Sequence, residues 1–166
     1  MDIGDGKITI YSDGYTIGDN TLVPFTNSAE NRYVITGSRE DDTPLRIDTR
    51  TNGESSSGSQ TYYLTLDNAT IAGSSWATAV VVHPYDPIDI YIKNVGTSTI
   101  KPYNHVAFSI QNGTAAVNIY IESDNGFDGF KFERKDGKTP TLFDPSANVH
   151  VYMNGIEVDA SGNPKS

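Results

Sequence analysis

Tyrosine is the residue type whose placement most invites chemistry in this chain. Tyr91, Tyr120 and Tyr152 each sit at the centre of a short alternating stretch, Asp-Ile-Tyr-Ile-Lys at 89–93, Asn-Ile-Tyr-Ile-Glu at 118–122 and His-Val-Tyr-Met-Asn at 150–154. Side chains alternate between the two faces of a strand, so the apolar neighbours point one way and each tyrosine the other. One outward aromatic per strand makes a flat row. Its ring faces would stack on the apolar faces of sugar rings, and its phenolic oxygens would bond sugar hydroxyls. Tyr63 falls on the neighbouring outward row. The same residues have a plainer use, because tyrosine favours strands and packs against its like on the next strand.

Other candidates lie in connections and turns. Trp76 and Tyr85 flank the Val80 strand, where an aromatic serves either as a binding anchor or as a cover over the core edge. Asp124, Asn125 and Asp128 cluster oxygen atoms in the turn from Ser123 to Gly129. That cluster loosely resembles a calcium loop, which needs six to eight oxygens at defined positions, and it is also an ordinary Asp/Asn/Gly turn. For catalysis, Asp48 and Glu133 share one outward row with His83 and Gln111 between them, and Arg46 and Lys131 share the adjacent row. Two carboxylates on one cleft would suit a glycosidase, and a base beside an acid a lyase, whereas the same charges equally form a solvated face. His83, His105 and His150 do not converge, and no GxSxG, HExxH or P-loop pattern is present.

The elements that must position these residues recur in fixed order. Tyr-Leu-Thr-Leu-Asp-Asn at 63–68 is followed by Ala-Val-Val-Val-His-Pro at 79–84, then Asp-Ile-Tyr-Ile-Lys-Asn at 89–94 by Ala-Phe-Ser-Ile-Gln at 107–111. The first strand returns at 118–122 and 150–154, the second at 45–48 and 130–133, and Tyr33-Val34-Ile35 precedes them all. Aligning Leu64, Ile90, Ile119 and Val151 makes every inward position apolar: Leu66, Ile92, Ile121 and Met153 in the first strand, and Leu45, Ile47, Val80, Val82, Phe108, Ile110, Phe130 and Phe132 in the second. Copies that bury one side only gain a continuous core by stacking. The pattern predicts an all-β chain folded as a short right-handed parallel β-helix of about four coils, with equivalent strands about 4.8 Å apart. The alternative is an antiparallel β-sandwich, which also uses short strands with turn signals.

The division expected is one domain over 1–166, with a cap at 1–31, coils at 32–158 and a tail at 159–166. Residues 7–17 read as a hairpin turning at Asp13-Gly14, which with Leu22 to Phe25 would cover the end of the helix. Residues 50–60 and 135–147 read as surface excursions, Asn154-Gly155 as a tight turn, and 159–166 as a frayed end. Turn asparagines are expected to bond from coil to coil.

Composition narrows the partners. Twelve basic against twenty-one acidic residues leave a formal charge of −9, which repels nucleic acid and anionic lipid. No apolar run is long enough to cross a membrane, so no insertion is expected. There is no cysteine, hence no disulfide and no thiol chemistry. The start, Met1 to Asp5, is polar and unlike a signal peptide.

The run Gly6 to Ile17, the segment Val23-Pro24-Phe25-Thr26, and Tyr33-Val34-Ile35-Thr36-Gly37 resemble the opening of bacterial, clostridial-type surface β-helix modules. Leu64 to Ile71, Ala107 to Ile110 and Gly113 to Ile119 resemble their repeats. The resemblance, to β-helix carbohydrate-binding domains of the pectin- and cellulose-binding type, covers most of residues 6–125. It implies a non-catalytic module that binds a polysaccharide or a cell-surface glycan, is extracellular or adhesive at a bacterial surface, and in some members uses calcium. A structural stalk or phage tail-fibre segment, and a polysaccharide lyase or hydrolase, are the competing expectations.

Overall fold

The computed structural model describes residues 1–74, 77–103, 106–111, 113–145 and 148–166. It is all-β and forms a parallel β-helix of about four turns. The N-terminal cap holds a three-residue 3-10 helix, Ile3–Asp5, then β1 (Ile8–Tyr11), β2 (Gly14–Ile17) and β3 (Val23–Pro24). The first coil is β4 (Tyr33–Ile35), β5 (Ser38–Asp41) and β6 (Leu45–Asp48). The second is β7 (Gln60–Asp67), β8 (Thr70–Gly73) and β9 (Val80–His83), and the third β10 (Ile88–Val95), β11 (Ser98–Lys101) and β12 (Phe108–Ile110). The fourth holds β13 (Val117–Ser123) and β14 (Phe130–Phe132), and β15 (Val149–Met153) with β16 (Ile156–Val158) closes the far end.

The first three coils therefore carry three strands each, not the two read from the sequence. The strands stack into three sheets, ordered β16-β15-β13-β10-β7-β4, β12-β9-β6-β1-β2-β3 and β14-β11-β8-β5. Among the described residues pairing between coils is parallel throughout, which excludes the antiparallel sandwich, and antiparallel pairs occur only at the two ends. The third sheet escapes an alternation test because its strands bring few large apolar residues inward, such as Ile71 in β8 and Ile100 in β11. A sharp corner leads into these strands. It is made by one left-handed residue, Gly37 (φ 81°), Asn68 (φ 50°) or Gly96 (φ 68°). A side chain at Gly96 would collide with the Asn68 amide, which sits 2.3 Å from the position of a Cβ. Corner side chains do bond between coils: Asn68 Oδ1 accepts the Thr97 N–H at 3.1 Å and Asn154 Oδ1 the Ser123 N–H at 3.0 Å.

Three assignments need correction. Ile90 faces Tyr62, not Leu64, and Ile92 faces Leu64, so the first two long strands are offset by two residues from the alignment above. Phe130–Phe132 stacks on β11 in the third sheet rather than on Phe108. Its place in the second sheet is taken by residues 141–143, inside the supposed excursion. There Ala107 N–H donates to Thr141 O at 2.9 Å and Phe108 N–H to Leu142 O at 2.8 Å, and Leu142 and Phe143 are buried. The inward parity survives these shifts, and fourteen of the sixteen expected core positions are buried, with Ile110 and Phe132 packed against the core.

Both ends are covered. β1 pairs in parallel with β6, so the cap continues the second sheet and then turns back through β2 and β3. Its turn falls on Ser12 and Asp13, with Gly14 already in β2, where β3 passes too close for a side chain. At the other end Asn154 (φ 48°) and Gly155 (φ 82°) make the two-residue turn of the β15–β16 hairpin. The tail is tied down rather than frayed: the Asp159 carboxylate accepts the N–H groups of Ser161 and Asn163, both at 2.9 Å, and Lys165 N–H donates to Glu157 O at 2.8 Å. Among the described residues no helix is long and apolar enough to cross a membrane.

Candidate functional site

The first sheet exposes one long face, built from the outward residues of β7, β10, β13 and β15. Registration places Tyr63 beside Tyr91, Tyr91 beside Tyr120 and Tyr120 beside Tyr152. The two-residue correction thus brings Tyr63 from the neighbouring row into the ladder itself. Ring centroids are 5.0, 4.5 and 4.9 Å apart, with planes inclined by 15°, 11° and 12°. All four side chains are half-buried.

This geometry changes how the ladder can act. The rings are stacked on one another, so the inner ring faces are occupied and are not open to a sugar. The ladder presents ring edges and hydroxyls instead. Its two ends are flanked by charged groups: the Arg32 guanidinium lies 5.5 Å from the Tyr63 ring centre, and Glu157 stands opposite Tyr152 on β16. Burial first, then the Asp89 carboxylate, push the Tyr91 and Tyr120 hydroxyls above the ordinary tyrosine range. At neutral pH those phenols are protonated and both donate and accept.

Polar rows border the ladder. Thr61, Asp89, Asn118 and His150 align on one side, and Thr65, Lys93 and Glu122 on the other. Asn118 Nδ2 donates to Asp89 Oδ1 at 2.8 Å, joining two coils. His150 Nδ1 is 2.9 Å from Glu157 Oε1, which also accepts from Lys165 Nζ at 2.7 Å. Those two hydrogen bonds, Lys165 first, hold the Glu157 carboxyl below its usual range. The result is a flat face with an aromatic spine, hydrogen-bonding groups on both flanks and mixed charge.

The outward side of the second sheet is different. Asp48 is fully buried, clasped by Arg46 Nη2 at 2.8 Å, by Arg50 Nη2 at 3.0 Å and Nε at 3.1 Å, and by the Arg50 N–H at 2.9 Å. Burial alone would raise this carboxyl; the Arg50 and Arg46 hydrogen bonds outweigh it and hold the group below its ordinary range. Arg50 lies 3.8 Å over the ring of Tyr85, which places Tyr85 with this cluster and not on the tyrosine face. Arg46 and Asp48 sit two residues apart on one face of β6, and Arg50 follows two residues beyond its end, a spacing from which the clasp could have been read. Glu133 follows β14 on the third sheet, so it does not share a row with Asp48, and the expected carboxylate pair is not assembled.

Trp76 lies outside the described residues. Asp124, Asn125 and Asp128 are exposed around the short 3-10 helix Gly126–Asp128. Among the described residues no group of three or more His, Asp or Glu side chains is arranged to hold a metal ion. Comparisons with protein-family models, with curated proteins and with solved structures found no match.

Proposed function

We propose that this chain is a non-catalytic module that binds a neutral polysaccharide along the outward face of the first sheet, at a cell surface. The observation that carries the reading is the in-register ladder Tyr63, Tyr91, Tyr120 and Tyr152, one hydroxyl per coil at 4.5–5.0 Å ring spacing. A periodic row of donors and acceptors suits a linear polymer with a short repeat, which can meet each rung in turn. The bordering rows supply further hydroxyl, amide, imidazole and carboxylate groups. Mixed charge on this face, within a chain of −9, favours an uncharged polymer over a polyuronate. A polyuronate would need a bridging cation, so its binding should disappear with chelator while that of a neutral glucan persists. The burial of Asp48 under two guanidiniums supports a binding role over a hydrolytic one.

Mutual stacking of the four rings also favours a second reading, a rigid structural spacer whose ladder serves only to hold coils together. Affinity electrophoresis of the wild type and Tyr91→Ala/Tyr120→Ala, in gels containing single polysaccharides, separates the two. The binding reading expects retardation of the wild type by a neutral polymer, weakened about tenfold or more in the double variant. Equal retardation removes the tyrosine face, and no retardation by any polymer leaves the spacer.

A further inference from the structure

A hollow of about 310 Å³ opens on the outward face of the second sheet, between β1, β6 and β9. Lys7, Thr9, Thr43, Arg46, His83 and Gln111 line it. Its size is at the small end for ligand sites and fits one small molecule rather than a polymer.

Three features set it apart from ordinary surface. The first is charge. Asp48 is one carboxylate shared by Arg46 and Arg50, and Asp41 is one shared by Arg39 and, at 3.4 Å, Lys7. Four of the chain's twelve basic residues thus gather here in ion pairs, Arg50 also lying 3.7 Å from Glu54, in a molecule whose overall charge is −9. The carboxylate on the wall is Asp42, which accepts the Ser74 hydroxyl at 2.7 Å. The second is unspent polarity. His83 is more than nine-tenths buried, and among the described residues its Nδ1 has no hydrogen-bond partner; Asp48 Oδ2, at 3.7 Å, is too far. Arg46 Nε is likewise buried without a partner. Such burial is costly, and both atoms are closed to solvent, so a ligand in the hollow would meet other atoms of these two side chains. The third is backbone strain: Thr43, a β-branched residue, is held at φ 56° on the rim.

We propose that this hollow is a second binding site, separate from the tyrosine face, for a small hydroxylated carboxylate. The carboxylate would meet Lys7 Nζ and the Arg46 guanidinium. The hydroxyls of such a ligand would meet Thr9, Thr43 and the Gln111 amide, whose Nε2 donates to Ser109 Oγ at 3.1 Å. A flat exposed salt-bridge network would not need the hollow.

Gluconate and sorbitol test this directly, since they share a carbon skeleton and hydroxyls and differ in the carboxylate. The imidazole resonances of His83, assigned with His83→Gln, report occupancy by NMR. Gluconate is expected to shift them saturably and sorbitol to leave them unmoved. Lys7→Gln should weaken gluconate about tenfold without changing the thermal melt, because Lys7 is exposed. Tyr91→Ala should bind gluconate as the wild type does, which keeps this site distinguishable from the polysaccharide face. No shift with gluconate, an equal shift with sorbitol, or unchanged affinity in Lys7→Gln would overturn the assignment. Inorganic phosphate binding as tightly as gluconate would overturn the part given to the hydroxyls.

Discussion

At the scale of residues, Asp48 is the side chain with the sharpest consequence. It is buried, and its charge is held by two arginines and a backbone amide. Breaking such a buried pair from one side typically costs about 3–5 kcal/mol, so Asp48→Asn should lower the melting temperature markedly at pH 7. The pH dependence has a definite sign. A carboxyl whose folded pKa is depressed contributes stability above its unfolded value, near 3.9, and loses it as pH falls through the folded pKa. Urea melts should therefore find wild type and Asp48→Asn far apart at pH 7 and converging in acid. A gap that stays constant with pH would contradict the assigned ionisation. The ladder has the opposite sign. Tyr91 and Tyr120 are raised, so their contribution is present below the unfolded value near 10 and is lost as pH rises through the folded one. Absorbance titration should find these phenols ionising later than free tyrosine, with the late phase reduced in Tyr120→Phe. Three of the four ladder residues were legible from sequence as one row. Tyr63 was not, because sliding a strand by two residues keeps every inward side chain inward, and a parity test cannot detect it.

At the scale of elements, the same blindness explains the misplaced strand. Phe130-Lys131-Phe132 alternates correctly whether it stacks on β11 or β12, so its sheet could not be read from its pattern. The segment that replaces it, residues 141–143, is hidden by turn residues on both sides, Pro140 and Asp144-Pro145. Its burial makes a prediction. Leu142→Ala should cost about 2–5 kcal/mol, whereas Thr139→Ala, exposed and three residues earlier, should fall within about 0.5 kcal/mol of wild type. Similar melts for the two would return 135–147 to the surface. In β10 the contrast is between neighbours. Ile92→Asp places an unpaired carboxylate in the core and should prevent folding, while Tyr91→Asp should fold with a lower melting temperature from the loss of two ring stacks. Circular dichroism melts of both variants check this, and like behaviour would reverse the in-out assignment of the whole sheet.

At the scale of the molecule, the coils align side chains that lie about thirty residues apart in sequence into continuous rows. Tyr63 to Tyr152 spans ninety positions yet forms one ladder, because each residue is the parallel-strand partner of the next. Three steps at the spacing of neighbouring strands make the ladder about 14 Å long. If it is a platform for a linear neutral polymer, affinity should depend on ligand length. Isothermal titration with a series of neutral oligosaccharides that retard the protein is the direct measurement. Affinity is expected to climb with each added sugar until the chain covers the four rungs, and then to level off, with the climb lost in Tyr91→Ala/Tyr120→Ala. A disaccharide binding as tightly as the longest oligomer, or a length dependence unchanged in the double variant, would contradict the account.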